Sequence, residues 1–500
     1  MSLIALAASI GDIDTSDQLQ IAEAYGKVFI ANGKNLKVAD FQNTKITTTS
    51  VGDHPPDRGN ILAGGTSGAK MIVDYITALS GATTIYGYRT TTATFSAGET
   101  VTGTDDDGNA ISFAMTADAE VAPPHWYDWT PYGNSSDYGA LPDRAYIGCV
   151  NGGRCMLSGD RNYPHQIRTS AIGNPWDWNV SREAPTRAMA IGAGAAGAIG
   201  DIVRALIPAR DNHLFIGCAN SVHLLNGNPA DGGQLFAVDK TVGIFDATSW
   251  CFDGDNNLYF WGTGGISKLS KGAVTLESMT RQPLPKLVQD EAADPSTHRI
   301  TMGYDPDRVG IKVCITKLAD GTSSNYWYDL QTGGFFPDAH QEAHGVYSMF
   351  FYDANDADYK ALLMGCKDGY IRVHDDDADD DDGSAIDSYV WFGPLPFGEN
   401  YGEGSISNLR ATLTGGASGG SAADSNSVTF GVYASESAED VIELMDDAGA
   451  VPEFGGTFSM ANTRRQKRRR QKARGRYGAI KLGNSANDET WGLEKLHVGG

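Results

Sequence analysis

A hairpin that keeps returning constrains this chain more than any other feature. Its clearest copy is an apolar run, His213-Leu214-Phe215-Ile216-Gly217-Cys218, then the polar pair Asn220-Ser221, then Val222-His223-Leu224-Leu225, ending in Asn226-Gly227. Two apolar runs around a tight polar turn predict a β-hairpin. The plan recurs as Val28–Gly33 with Leu36–Val38, Ala145–Cys149 with Cys155–Leu157, and Leu258–Gly262 with Ile266–Leu269. It returns at Leu362–Cys366 with Tyr370–Val373, and more loosely at Val309–Ile315 with Tyr326–Leu330. A hairpin alone cannot bury its apolar face. About six of them, spaced at roughly 40 to 50 residues, therefore predict radial stacking of small sheets. The expected fold is all-β: a β-propeller of about six blades, with an inserted small β module and a C-terminal β-sandwich-like domain.

Five hundred residues predict two or three domains. A hydrophobic share of 41% supports a sizeable core, and 61 glycines suit a turn-rich β chain. The six cysteines (149, 155, 218, 251, 314, 366) are scattered, several lie inside expected strands, and none forms a CxxC pair. They read as buried thiols, so neither a disulfide framework nor a metal site is expected. The run Leu3–Ala8 is too short, and lacks the basic flank, for a secretion signal. No segment reaches the roughly 18 to 20 apolar residues of a membrane helix, so no membrane segment is expected.

Along the chain, the propeller is expected at residues 1–60 and 119–395, the insert at 61–118 and the second β domain at 396–500. Within the insert the composition turns rich in Thr, Ser and Gly. There Gly64-Gly65-Thr66-Ser67-Gly68-Ala69, Thr94–Val101 and the turn Asp105-Asp106-Asp107-Gly108 sit among short alternating strands. Aromatic clusters follow at Trp126-Tyr127-Asp128-Trp129 and Trp176-Asp177-Trp178. Filling gaps between blades is the leading reading for them, sugar binding the second. Gly192-Ala193-Gly194-Ala195-Ala196-Gly197 matches GxGxxG but lacks the helix that a dinucleotide site requires, so it reads as a connecting loop and no cofactor is expected. The acidic run 374–387 fails the EF-hand spacing and reads as a solvated loop. Beyond Pro396, a Gly/Ser-rich loop, a strand near Val428–Tyr433, a short helix at Ala438–Met445 and two last strands are expected.

The formal charge of −23 disfavours broad nucleic-acid binding by the surface. One stretch reverses it, with nine cations: Arg464, Arg465, Lys467, Arg468, Arg469, Arg470, Lys472, Arg474 and Arg476. The remainder therefore carries −23 − 9 = −32. Contact with a neighbouring subunit, or protection of a strand edge, ranks ahead of binding to DNA phosphate.

Together the hairpins, the segment Ala171–Asn179 (AIGNPWDWN), the unit from Asp201 to Lys271 and the ending RGRYGAIKL…WGLEKLHVGG resemble the tail nozzle proteins of short-tailed bacteriophages. That group includes the tail tubular protein B type and related propeller-bearing hubs that stabilise packaged DNA. The module GGTSGA…FSAGETVTG is similar to small β inserts of phage structural proteins. The resemblance spans most of the chain. It implies a virion tail protein: a homo-oligomeric ring, commonly a hexamer, below the portal and adaptor proteins. Such a ring also meets the tail fibres and conducts double-stranded DNA without reading its sequence. No catalytic residue carries over, and no enzymatic activity is expected. The acidic run and the dense Arg/Lys stretch depart from the group, leaving the adaptor-facing and tip-facing surfaces unassigned. An acidic channel wall would let a polyanion slide rather than grip it.

Two rivals stand beside this reading. A propeller glycosidase needs paired carboxylates, and a sialidase-like one needs turns of SxDxGxxW type. The nearest match, Ser249–Gly254, has the wrong spacing. A carbohydrate-binding receptor protein is motivated by the aromatic clusters.

Overall fold

The computed structural model describes residues 13–14, 18–194, 197–210, 212–272, 275–340, 344–374, 380–397, 402–414, 425, 427–447, 449–458, 465–469, 472–487 and 489–499. It is all-β, with 49% strand and 5% helix, in two compact units: residues 1–339 with 345–371, and residues 340–344 with 372–500.

The first unit is built largely from small antiparallel meanders. Sheet one is Gln20–Ala24, Lys27–Ala31, Leu36–Asp40 and His125–Asp128; sheet two is Ile147–Asn151, Arg154–Ser158, Ile167–Thr169 and Met189–Ile191. Sheet three is Val203–Arg210, His213–Cys218, Val222–Asn226 and Gln234–Asp239; sheet four is Trp250–Phe252, Leu258–Gly262, Gly265–Leu269 and Leu276–Ser278. Sheet five is His298–Asp305, Gly310–Lys317, Ser323–Asp329 and Phe335–Asp338, and sheet six has three strands, Val346–Tyr352, Ala361–Cys366 and Ile371–Val373.

Successive sheets share their cores. Ile147 and Met156 of sheet two pack with Leu206 and Ile216 of sheet three, and Ile207 of sheet three with Phe260 of sheet four. Trp261 of sheet four packs with Met302 and Val313 of sheet five, and Cys314 of sheet five with Val346 and Met364 of sheet six. Strands covered on both faces are apolar without a break, as in Leu258–Gly262, which is buried throughout. All six cysteines are buried thiols rather than disulfides.

Between the third and fourth strands of sheet one lies a six-stranded sheet, in the order Thr44–Thr48, Thr83–Arg89, Lys70–Ile76, Ile61–Gly64, Thr100–Thr104, Ala110–Ala114. The insert expected to start at 61 thus begins with Thr44–Thr48, whose partner stands some forty residues later (Thr44 opposite Gly87). Nor is it a satellite: Leu62, Met71 and Tyr75 share one core with Phe29, Trp129 and Trp176. Polar groups join it as well. Lys27 lies 2.7 Å from Asp74, Asn43 donates to both Asp40 and Asp74, and the Tyr127 hydroxyl donates to Asp40.

The second unit is sandwich-like. A four-stranded sheet (Ser388–Pro396, Tyr477–Asn484, Val428–Ser435, Phe454–Phe458) contributes Phe430, Val432 and Ile480 to a core. A three-stranded sheet (Arg465–Arg469, Asn408–Leu413, Leu493–Gly499) contributes Leu409, Ala411 and Leu413 to the same core. The boundary expected at 396 falls earlier, because Ser388–Pro396 pairs with Tyr477–Asn484 and sets Val390 and Phe392 against that core. The helix Ala438–Asp446 is capped by Ser437, whose side chain accepts from the Asp440 amide.

Candidate functional site

The basic stretch is not one element. Among the described residues, Arg465–Arg469 is an outer strand of the three-stranded sheet and pairs with Asn408–Leu413 alone. Ala473–Gly475 pairs separately with Gly404–Ile406. Lys472, Arg474 and Arg476 are exposed, and Arg476 lies 3.4 Å from Glu436; Arg464 and Arg470 fall outside the described residues. Arg410, exposed on the central strand, stands in register with Arg468 on one side and His497 on the other. Like charges in register across strands repel.

The other sequence candidates resolve as structure. Trp129, Trp176 and Trp178 are buried, and the Trp129 and Trp178 indoles donate to the same Pro175 carbonyl at 3.0 and 2.9 Å. Trp176 stacks on Tyr75 at 4.2 Å. These three tryptophans fill the joint between sheet one and the inserted sheet rather than a gap between blades, and being buried they offer no sugar platform; Trp126 is half-buried. In the GxGxxG stretch, expected to be a loop, Ala193–Gly194 and Gly197–Ala198 instead pair as a two-stranded ribbon. Of the acidic run, 375–379 lie outside the described residues, and Asp380–Asp381 pairs with Ser384–Ala385. Among the described residues no group of three His, Cys, Asp or Glu side chains could hold a metal ion.

The sequence reading missed a cavity of about 630 Å³ in the first unit, lined from five sheets. Gln18, Gln20 and Lys34 come from in and around sheet one, and Arg144, Tyr146 and Arg161 from around sheet two. Arg204 is in sheet three, Asp246 leads into sheet four, and His298 and Arg299 open sheet five. Tyr347 of sheet six lies behind Arg299, with its ring 4.4 Å from the guanidinium. Five permanently cationic side chains thus meet one lining carboxylate, in a chain that is acidic as a whole. Two further carboxylates are near: Asp14 pairs with Lys34 at 2.6 Å, and Asp294 feels the charge of Arg204.

Some of these cations are held by protein groups and others are not. Arg204 donates to the Phe245 carbonyl at 3.3 Å, and desolvation lowers the pKa of Arg299 against the opposing pull of Asp246 and Tyr347. Asp246 keeps part of its surface open while its carboxyl is enclosed by protein. That burial raises its pKa, although the Thr248 amide and hydroxyl donate to it at 2.8 and 3.0 Å. Among the described residues, the side chains of Gln20, Arg144, Tyr146 and Arg161 make no hydrogen bond or ion pair with protein. Arg144 has a φ of 57°, a left-handed conformation uncommon for a long side chain. Gly159 leaves room for the Tyr146 ring, since a Cβ there would fall 2.4 Å from it.

No local motif marks this cavity, because its residues come from separate repeats. A repeat alignment would have shown it: Arg204, Arg299 and Tyr347 are each the second residue of the first strand of their sheet.

No family model matches the chain, and no curated protein does. Among solved structures, it is similar to the extracellular domain of a hybrid two-component system from Bacteroides thetaiotaomicron, at 10% identity and a TM-score of 0.35, over 83% of this chain and 44% of that one. A one-component system domain from the same organism matches at 13% identity and a TM-score of 0.31, over 67% of this chain and 34% of that one. This chain therefore spans a third to a half of the length of those proteins. The β-propeller domain of a trilobed protease from Pyrococcus furiosus matches at 9% identity and a TM-score of 0.24, over 71% of this chain and 97% of that one.

Proposed function

We propose that this chain is a structural protein of a bacteriophage tail. In this reading its six sheets close as propeller blades, and copies of the chain assemble as a ring that retains and conducts the genome. The observation that carries the reading is the cationic outer strand Arg465–Arg469, in register with Arg410 and through it with His497, in a chain whose remainder is strongly acidic. An outer strand keeps one row of backbone donors and acceptors without a partner. Cations along it discourage indiscriminate pairing and favour an acidic surface, which gives a ring its orientation more than its affinity. Head-to-tail subunits need two complementary patches, and this charge division supplies a pair. The AIGNPWDWN segment and the RGRYGAIKL…WGLEKLHVGG ending support the same reading through their resemblance to nozzle proteins.

Reversal of Arg468, Arg469 and Arg470 to Glu is expected to block ring or tail assembly while the protomer keeps its melting transition. Electron microscopy of the particles that carry this chain reads the outcome. Normal tails with the triple variant, or a chain that stays monomeric and apart from any virion, overturn the proposal.

A further inference from the structure

From the basic cavity of the first unit, we infer a binding site for an acidic saccharide, meaning a short sugar chain that bears carboxylates. The inference rests on the cavity and stands apart from the tail assignment. Its volume of about 630 Å³ falls in the range of small-ligand sites and suits a few linked sugar rings. Arg144 and Arg161 face it without a protein partner, and a guanidinium offers a carboxylate two parallel donors. Arg204 and Arg299 add positive charge to the same lining, their own geometry held by the Phe245 carbonyl and the Tyr347 ring.

The remaining unpartnered groups suit hydroxyls. The Gln20 amide can donate and accept, and Tyr146, 41% exposed, offers an apolar ring face and a hydroxyl. Asp246 limits how much negative charge the site accepts, which favours isolated carboxylates over a dense run of phosphates. A single-stranded nucleic acid site would also present a row of stacking aromatics; here Tyr146 is the one exposed aromatic in the lining.

The test is calorimetric titration of the full chain with a tri-uronide, the matching neutral trisaccharide, inorganic phosphate and a short single-stranded oligonucleotide. The tri-uronide is expected to bind with a Kd of roughly 10 μM to 1 mM, and the neutral sugar at least about tenfold more weakly. Arg144→Gln with Arg161→Gln is expected to weaken the uronide roughly ten- to a hundredfold with an unchanged melting temperature. Asp246→Asn is expected to hold or tighten binding. No uronide binding at about 10 mM, equal binding of the neutral sugar, preference for phosphate or oligonucleotide, or an unaffected double variant each overturns the inference.

Discussion

The carboxylate of Glu99 accepts hydrogen bonds from the amides of Thr66 (3.2 Å), Ser67 (3.0 Å) and Ser96 (2.7 Å) and from the Ser67 hydroxyl (2.9 Å). One side chain thus closes both glycine-rich loops of the inserted sheet. A Cβ at Gly64 would fall 2.7 Å from that carboxylate, so a side chain there would have to displace the clasp. Burial opposes ionisation of Glu99, but the bonds from Ser67, Ser96 and Thr66 outweigh it and hold its pKa below the ordinary value. A depressed carboxylate stabilises the fold above its unfolded pKa, and that contribution is lost as pH falls through the folded value. Glu99→Gln is therefore expected to cost about 2 kcal/mol at neutral pH. The deficit should begin to shrink below about pH 4 and should close only once the pH has fallen through the depressed folded value, as denaturant titrations at neutral and acid pH will read. The sequence set GGTSGA and Thr94–Val101 among short alternating strands and showed nothing of this clasp, because Glu99 finds its Thr66 and Ser67 donors some thirty residues away.

At the scale of the element, the strands legible in the sequence are chiefly those covered on both sides. The recognised hairpins correspond to central pairs such as Lys27–Ala31 with Leu36–Asp40 and Leu258–Gly262 with Gly265–Leu269. A last strand such as Leu276–Ser278 is largely exposed, so it has no need of an apolar run and left none to read. Strands with distant partners were misassigned for another reason: apolarity shows that a strand will be buried, not which strand it will join. Thr44–Thr48 and Ser388–Pro396 are the two cases. The cationic outer strand carries its own prediction. Replacing Lys467, Arg468 and Arg469 with Thr, Val and Thr raises β propensity and removes the guard charges. The expected result is self-association of the chain, seen as a concentration-dependent rise in sedimentation coefficient with the wild-type unfolding midpoint preserved at low concentration.

For the whole molecule, the shared core makes the inserted sheet part of the first unit's stability. Asp40 and His125 are register partners, so residues 44–120 could be replaced by a short loop without stretching the chain. Doing so would nevertheless strip Tyr75 from Trp176 and Tyr86 from Tyr127, stacked at 4.2 Å in both cases. The shortened chain is expected to lose its cooperative melt and bind apolar dyes. Trp176→Ala alone should cost about 3–5 kcal/mol, measured by equilibrium unfolding. The series of meanders was legible because it repeats; the basic cavity was not, because its lining is gathered from five sheets and no single stretch of sequence holds the set. The position of the inserted sheet also sets a timetable. Sheet one receives its fourth strand, His125–Asp128, only after the whole insert has left the ribosome. Until then Leu36–Asp40 has one open side in a growing chain. An insert that folds as it emerges brings His125 back to Asp40 and shortens the loop to be closed. Slow synthesis through residues 44–120 would lengthen the period in which that edge can pair with the wrong strand.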